Sequence, residues 1–321
     1  MTYFKGLELE IRDLSRQNFP LPRLSKQLEK LRNELHDGKG FFVLRGIDPT
    51  RYSVEDNVLI FVGVSCYIGE KRGRQDQDGN MLVHIMDANA RFPSPAFREA
   101  QSVYTNVAQP FHNDVVCDIL ALQTLSRASE GGSSIIASAV TVYNELAATR
   151  PDLVHTLSAS DWTFDTFGRD PPYHQRPLLY CHDRRVILNF SRRLLTGSDQ
   201  SPRTANIPPI TEAQAEALDA VHFIAQDNQL SISTAPGDLR FINNLGILHC
   251  RDSFQDGAHS QRHLVRLWLR NEQMAWSTPT QLQMAWDRVF ADLPDMAENW
   301  NIEPDMSEAQ VSSRQKSCGQ G

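Results

Sequence analysis

The sequence predicts a mainly β fold, a β-sandwich core with flanking α-helices. Three observations carry this. Short apolar runs bounded by turn residues recur from about residue 111 onward. Helical periodicity is confined to a few separate segments. No glycine-rich phosphate loop follows a strand, which leaves a nucleotide-binding α/β fold without support. At 321 residues the chain is long enough to bury a core without disulfides or a structural metal.

In chain order, Leu24, Leu28, Leu31 and Leu35 have helical spacing over 22–37, and Gly38 follows as a stop. FFVLRG (41–46) reads as a buried strand. Ser53, with Asp56 three residues on, starts a second helix running to about Tyr67. Residues 70–110 are rich in Gly, Asp, Asn and Pro and read as a long loop insertion over a site. Strands are predicted at 115–125, 133–139, 177–182, 184–191, 229–235, 239–244 and 262–270, and helices at 140–149, 211–225 and 279–290. Residues 1–300 are expected to form a single domain, and 301–321 a flexible polar tail.

The formal net charge of −7 disfavours a protein that binds by neutralising phosphates, so nucleic acid is not an expected partner. The five cysteines are scattered and contain no CxxC pair, which argues against a disulfide framework or a zinc ribbon. No signal segment or membrane-length apolar run is visible. A cytoplasmic, reducing compartment and no membrane partner are the expectation. The segment at 279–290 is either a homodimer contact or a lid.

The chemistry concentrates in QPFHNDVVCDILAL (109–122). His112 and Asp114 stand two apart at the mouth of a strand, so both side chains face one way. An imidazole beside a carboxylate is two-thirds of a facial triad for non-haem Fe(II). His249, in NNLGILHCRDSF (243–254), is the candidate third ligand. Arg266 lies in the apolar run HLVRLWLR, where an unpaired guanidinium would cost several kcal/mol, on the order of a buried unpaired ion. Either a structural Asp or Glu pairs with it, or a bound carboxylate does.

With these residues in place, the chain resembles the TauD/TfdA-like (clavaminate synthase-like) Fe(II)- and 2-oxoglutarate-dependent dioxygenases. The resemblance rests on four motifs in order: His112-Asn113-Asp114, Gly131-Gly132-Ser133-Ser134, His249, and Arg262 with Arg266. It covers about 41–270 and implies a double-stranded β-helix, or jelly roll. It implies His112, Asp114 and His249 as catalytic iron ligands, with 2-oxoglutarate and O2 as cosubstrates. Arg266 would hold the distal carboxylate of 2-oxoglutarate, assisted by the Ser134 hydroxyl. Asn113 stands where most members have Thr or Ser, and is expected to point away from the metal.

The implied reaction is oxidation of an unactivated C–H bond of a small molecule, by hydroxylation or by desaturation or cyclisation from the same radical. Family members act on sulfonates, aryloxy acids, amino acids, betaines and natural-product intermediates; a carboxylate-bearing substrate such as an amino acid is the expectation here. Asn106 is a candidate cofactor-binding residue. Tyr104, Gln109, Phe190 and Arg192 are candidate substrate contacts, the last two from strand alternation in 185–194. The bland alternatives are loop-stabilising hydrogen bonds and a solvated face. His84 reads as a satisfied core histidine, and Trp276 and Trp286 as core. The alternative to an enzyme is a non-catalytic jelly roll that binds a metal or a small acid.

Overall fold

The computed structural model describes residues 2–88, 102–198, 202–291 and 297–304. Two antiparallel sheets face each other. The larger has six strands in the order Phe41–Leu44, Leu239–Asn243, Ile119–Ser126, His263–Arg270, Lys71–Gly73, with Val83–Met86 also paired to strand 263–270. The smaller runs Leu230–Ile232, Ser134–Ser138, Ile247–Arg251, Gln109–His112. This is the jelly-roll sandwich with flanking helices that the sequence implied.

Strand alternation divides the core. Leu120, Leu122, Ile242 and Trp268 project from the large sheet into the cluster that also holds Ile136 and Ile247 of the small sheet. On the opposite face Ile119, Ala121, Phe241, Val265, Leu267 and Leu269 pack with Leu28, Leu35, Val58 and Phe61 of helices Ser25–Asp37 and Val54–Ser65. Strand 263–270 is therefore apolar on both faces, as a central sandwich strand must be.

The helices start where local chemistry dictates. Ser53 Oγ accepts from Asp56 N at 3.0 Å, and Thr211 with Gln214 forms a reciprocal capping box on helix Glu212–Asp227. Helix Thr280–Phe290 buries Leu282, Trp286, Val289 and Phe290 against its own chain. That apolar face is therefore not open to a second copy. No helix among the described residues is long and apolar enough to cross a membrane.

Three segments differ from the sequence expectation. The stretch 70–110 is not loop throughout: strands 71–73, 83–86 and 109–112 come from it, while 89–101 lie outside the described residues. Their three or four residues carry too little pattern to signal a strand, and the long strand 263–270 organises two of them. Strand Arg185–Leu188 stops early, and Arg192–Thr196 is a helix, so Phe190 and Arg192 do not share a strand face. Met81 N donates to the Asn299 carbonyl at 2.9 Å, and Asn301 Nδ2 donates to Asn80 Oδ1 at 2.9 Å. The chain is thus still docked at 301; the remainder of the expected tail, 305–321, lies outside the described residues.

Candidate metal centre

Strands 109–112 and 247–251 are antiparallel neighbours with His112 opposite His249. The two imidazoles therefore lie side by side, ring centroids 4.2 Å apart. Asp114 follows in the loop after strand 109–112. One ligand atom from each of His112, Asp114 and His249 lies within 4.8 Å of the others. The structure brings together all three triad residues singled out in the sequence.

His112 and Asp114 are oriented by what each touches on its far side, whereas His249 Nδ1 is buried without a hydrogen-bond partner among the described residues. His112 Nδ1 donates to the Pro110 carbonyl at 2.9 Å, leaving Nε2 to the centre. His249 Nε2 lies 3.8 Å from Asp114 Oδ1. The other carboxylate oxygen, Asp114 Oδ2, accepts from Trp268 Nε1 at 2.6 Å and lies 3.1 Å from Arg266 Nη1. Oδ1 is thus the oxygen left for a cation. Burial pushes His249 down to about 3, helped by the neighbouring His112, and also lowers His112, so both rings are neutral ligands at ordinary pH. Burial works to raise Asp114, but Arg266, the two imidazoles and the Trp268 N–H outweigh it and hold the carboxyl below its usual range.

Two asparagines fix the backbone. Asn113 points away from the triad, as expected, but it is not idle. Its Nδ2 donates to Asn244 O at 2.6 Å and Ile247 O at 3.0 Å, and its Oδ1 accepts from Phe190 N at 3.1 Å. Asn244 reciprocates: its Oδ1 accepts from Asp114 N at 2.9 Å and its Nδ2 donates to Asp114 O at 2.6 Å. The Asn-Asn pair preceding the Leu-Gly-Ile-Leu-His run was the available signal for this clamp.

Arg266 is buried and paired. Beyond Asp114, its Nε donates to Gln75 Oε1 at 2.7 Å, and Gln75 Nε2 donates back to the Arg266 carbonyl at 2.9 Å. The other arginine of the motif, Arg262, lines a polar cavity of about 180 Å³ with Ser134, Thr124 and Arg240. Arg240 Nη1 donates to Ser134 Oγ. Gly132 makes room here: a Cβ on it would stand 3.0 Å from Arg262 Nε, and its φ of +69° favours glycine. Arg240 was not visible as a site residue, since a lone arginine in an apolar strand carries no motif.

The remaining candidates are spread out. Asn106 is exposed, and its carbonyl accepts from Phe254 N at 3.0 Å. Tyr104 is buried beside Val83 and Ala88. Gln109 is half-buried, opposite Arg251 across the strand pair. Phe190 is fully buried in the apolar core, and Arg192 pairs with Asp219 at 2.6 Å on helix 212–227. His84 is satisfied within the fold: its Nε2 meets the Asn301 carbonyl and its Nδ1 meets His263 Nε2, each at 2.8 Å.

Residues 10–268 match the taurine catabolism dioxygenase TauD, TfdA family. The chain belongs to this family. It is accordingly a dioxygenase of the iron- and 2-oxoglutarate-dependent kind, with a His-Asp-His centre suited to the metal. The taurine hydroxylase-like protein SAT17 of Stachybotrys chartarum (strain CBS 109288 / IBT 7711) is 36% identical over 310 residues, covering 95% of this chain and 80% of that protein. FR-33289 synthase of Streptomyces rubellomurinus (strain ATCC 31215) is 29% identical over 275 residues, covering 82% and 78%. Among solved structures, an asparagine oxygenase with Fe(II), 2S,3S-3-hydroxyasparagine and succinate superposes with a TM-score of 0.62 at 16% identity, covering 84% of this chain and 90% of that one. The non-haem iron oxygenase OrfP with Fe and α-ketoglutaric acid gives 0.58 at 19% identity, covering 82% and 84%. At such identities the likeness is one of fold.

Proposed function

We propose that this dioxygenase oxidises a C–H bond of a small carboxylate-bearing molecule, an amino acid or a related natural-product intermediate. His112, Asp114 and His249 would hold the iron, with His112 Nε2, Asp114 Oδ1 and His249 Nε2 the atoms left to it. The donor set fits: two neutral imidazoles and one carboxylate, with His112 and Asp114 oriented from behind. When bound, the metal supplies the oxidising chemistry that couples decarboxylation of 2-oxoglutarate to attack on the substrate. The observation that carries the reading is the convergence of these three residues, distant in sequence, within 4.8 Å.

The chain's own residues divide the remaining work. Arg262 and Ser134 are proposed to receive the distal carboxylate of 2-oxoglutarate in the polar cavity, a role the motif alone had suggested for Arg266. Arg266 is already engaged by Asp114 and Gln75. It steadies the ligand carboxylate and stands ready to meet an acidic group of a substrate beside the metal. Amino-acid products bound in the asparagine oxygenase and OrfP structures support that substrate class. The relative named FR-33289 synthase supports a place in secondary metabolism. Residues 1–300 act as one catalytic domain. The free cysteines Cys66, Cys117, Cys181 and Cys250 suit a cytoplasmic setting.

Anaerobic addition of Fe(II) and 2-oxoglutarate should give a visible charge-transfer band in the parent and none in His249→Ala. Amino acids and related acids are then screened for stimulation of succinate release. A parent without the band overturns the reading, including its distinction from a non-catalytic acid-binding jelly roll.

A further inference from the structure

The polar cavity holds more positive charge than one motif arginine supplies. Arg240 is 2% exposed and Arg262 6% exposed. Neither has a carboxylate within ion-pair distance among the described residues. The acid nearest Arg240 in sequence, Asp238, is taken by Arg45 at 2.8 Å and by the Ala235 N–H at 2.7 Å. Asp256 accepts from the Arg262 backbone N at 2.8 Å rather than from its guanidinium. Arg240 Nε and Arg262 Nη1 are buried without a hydrogen-bond partner, and so is Thr124 Oγ1 in the same wall. Burial lowers Arg240 to about 10 and Arg262 to about 9, Arg262 also being repelled by Arg251 and Arg240. Two guanidinium groups that share one cavity without an anion are costly unless a ligand brings one.

The strand register says where that ligand would reach. Arg240 and Arg266 both stand opposite Leu122 of the intervening strand, so they lie in one row on one sheet face. They are two strand spacings apart, about 10 Å between backbones. One end of the row adjoins Asp114 of the metal centre, and the other adjoins Ser134 in the cavity. A keto diacid chelated at the first end and extended along the row would place its far carboxylate between Arg240 and Arg262.

We infer that Arg240 is a second cation of the co-substrate socket, outside the family motif, and that with Arg262 it favours a keto acid carrying a distal carboxylate over one without it. This rests on the reading that the cavity receives 2-oxoglutarate. Each arginine offers donors to a different oxygen, so a keto acid without that carboxylate leaves both guanidinium groups buried and unpaired.

The test compares 2-oxoglutarate with 2-oxovalerate, which has the same chain length without the second carboxylate. Both are titrated anaerobically into the Fe(II)-loaded enzyme through the charge-transfer band. Arg240→Met should weaken 2-oxoglutarate about 10- to 100-fold, the scale of a lost charge-assisted hydrogen bond, and leave 2-oxovalerate unchanged. Arg240→Lys should restore part of the loss. The metal-free Arg240→Met protein should melt at or above the parent temperature, because a buried unpaired charge is gone. Equal weakening of both keto acids, or an unchanged 2-oxoglutarate titration, overturns the proposal. Arg262→Met separates the two levels: if it too leaves 2-oxoglutarate unaffected, the socket itself is misplaced, whereas a loss in Arg262→Met alone removes only Arg240.

Discussion

Trp268→Phe tests whether the far side of Asp114 governs the metal. The indole Nε1 lies 2.6 Å from Asp114 Oδ2 in a buried setting, and Trp268 itself is 6% exposed. Phenylalanine keeps most of the apolar body and removes the N–H. A buried hydrogen bond to a charged acceptor contributes about 1.5–3 kcal/mol. The carboxylate then loses one of the two donors on Oδ2 and is freer to rotate away from the imidazoles. A fall in Fe(II) affinity of roughly tenfold to a hundredfold is expected, the scale found for outer partners of metal ligands. Anaerobic calorimetric titration with Fe(II) measures it without turnover.

The molecule contains its own control. Trp286 Nε1 donates to Asp118 Oδ1 at 2.8 Å, and Arg270 Nη1 lies 2.5 Å from Asp118 Oδ2. Asp118 thus has the same Trp and Arg partner types, one on each oxygen, and lies outside the His-Asp-His group. Trp286→Phe should lower thermal stability without changing Fe(II) affinity. If the two variants alter Fe(II) binding equally, or if Trp268→Phe binds Fe(II) like the parent, the orienting role assigned to Trp268 is wrong.

Other outcomes follow from the same geometry. Arg266→Met should weaken Fe(II) binding through Asp114 more than it weakens 2-oxoglutarate at a fixed, saturating metal concentration; spectroscopic titrations of the two ligands separate the effects. Gly132→Ala should cost about 1–2 kcal/mol for the left-handed backbone and crowd Arg262, read as a lower urea midpoint together with weaker 2-oxoglutarate binding. His36 is buried and its imidazole is lowered, chiefly by that burial, from 6.5 to about 4. The unfolded chain therefore takes up a proton that the folded chain refuses. Stability should fall as pH drops from 6.5 to 4, by up to about 3 kcal/mol, and His36→Leu should flatten that part of the urea-midpoint profile.

The local parts of this protein are legible in its sequence. Helix starts at Ser53 and Thr211, the doubly apolar strand 263–270 and the His-x-Asp pair depend on neighbours a few residues away. Spacing and side-chain chemistry suffice for those. The triad's third member was reachable too, because the motifs come in a characteristic order.

What the sequence could not divide is the work of Arg262 and Arg266. Four residues apart, they would share a face on a regular strand. They do share one, and Leu264 between them also lines the cavity, so what separates them is distance along the strand and what stands over each end. One guanidinium then goes to Asp114 and the other to the cavity. Arg240, Trp268 and Gln75 become site residues only when strands from distant parts of the chain align. Strand register is set by pairing across the whole sheet, and no local pattern encodes which side chains it will bring face to face.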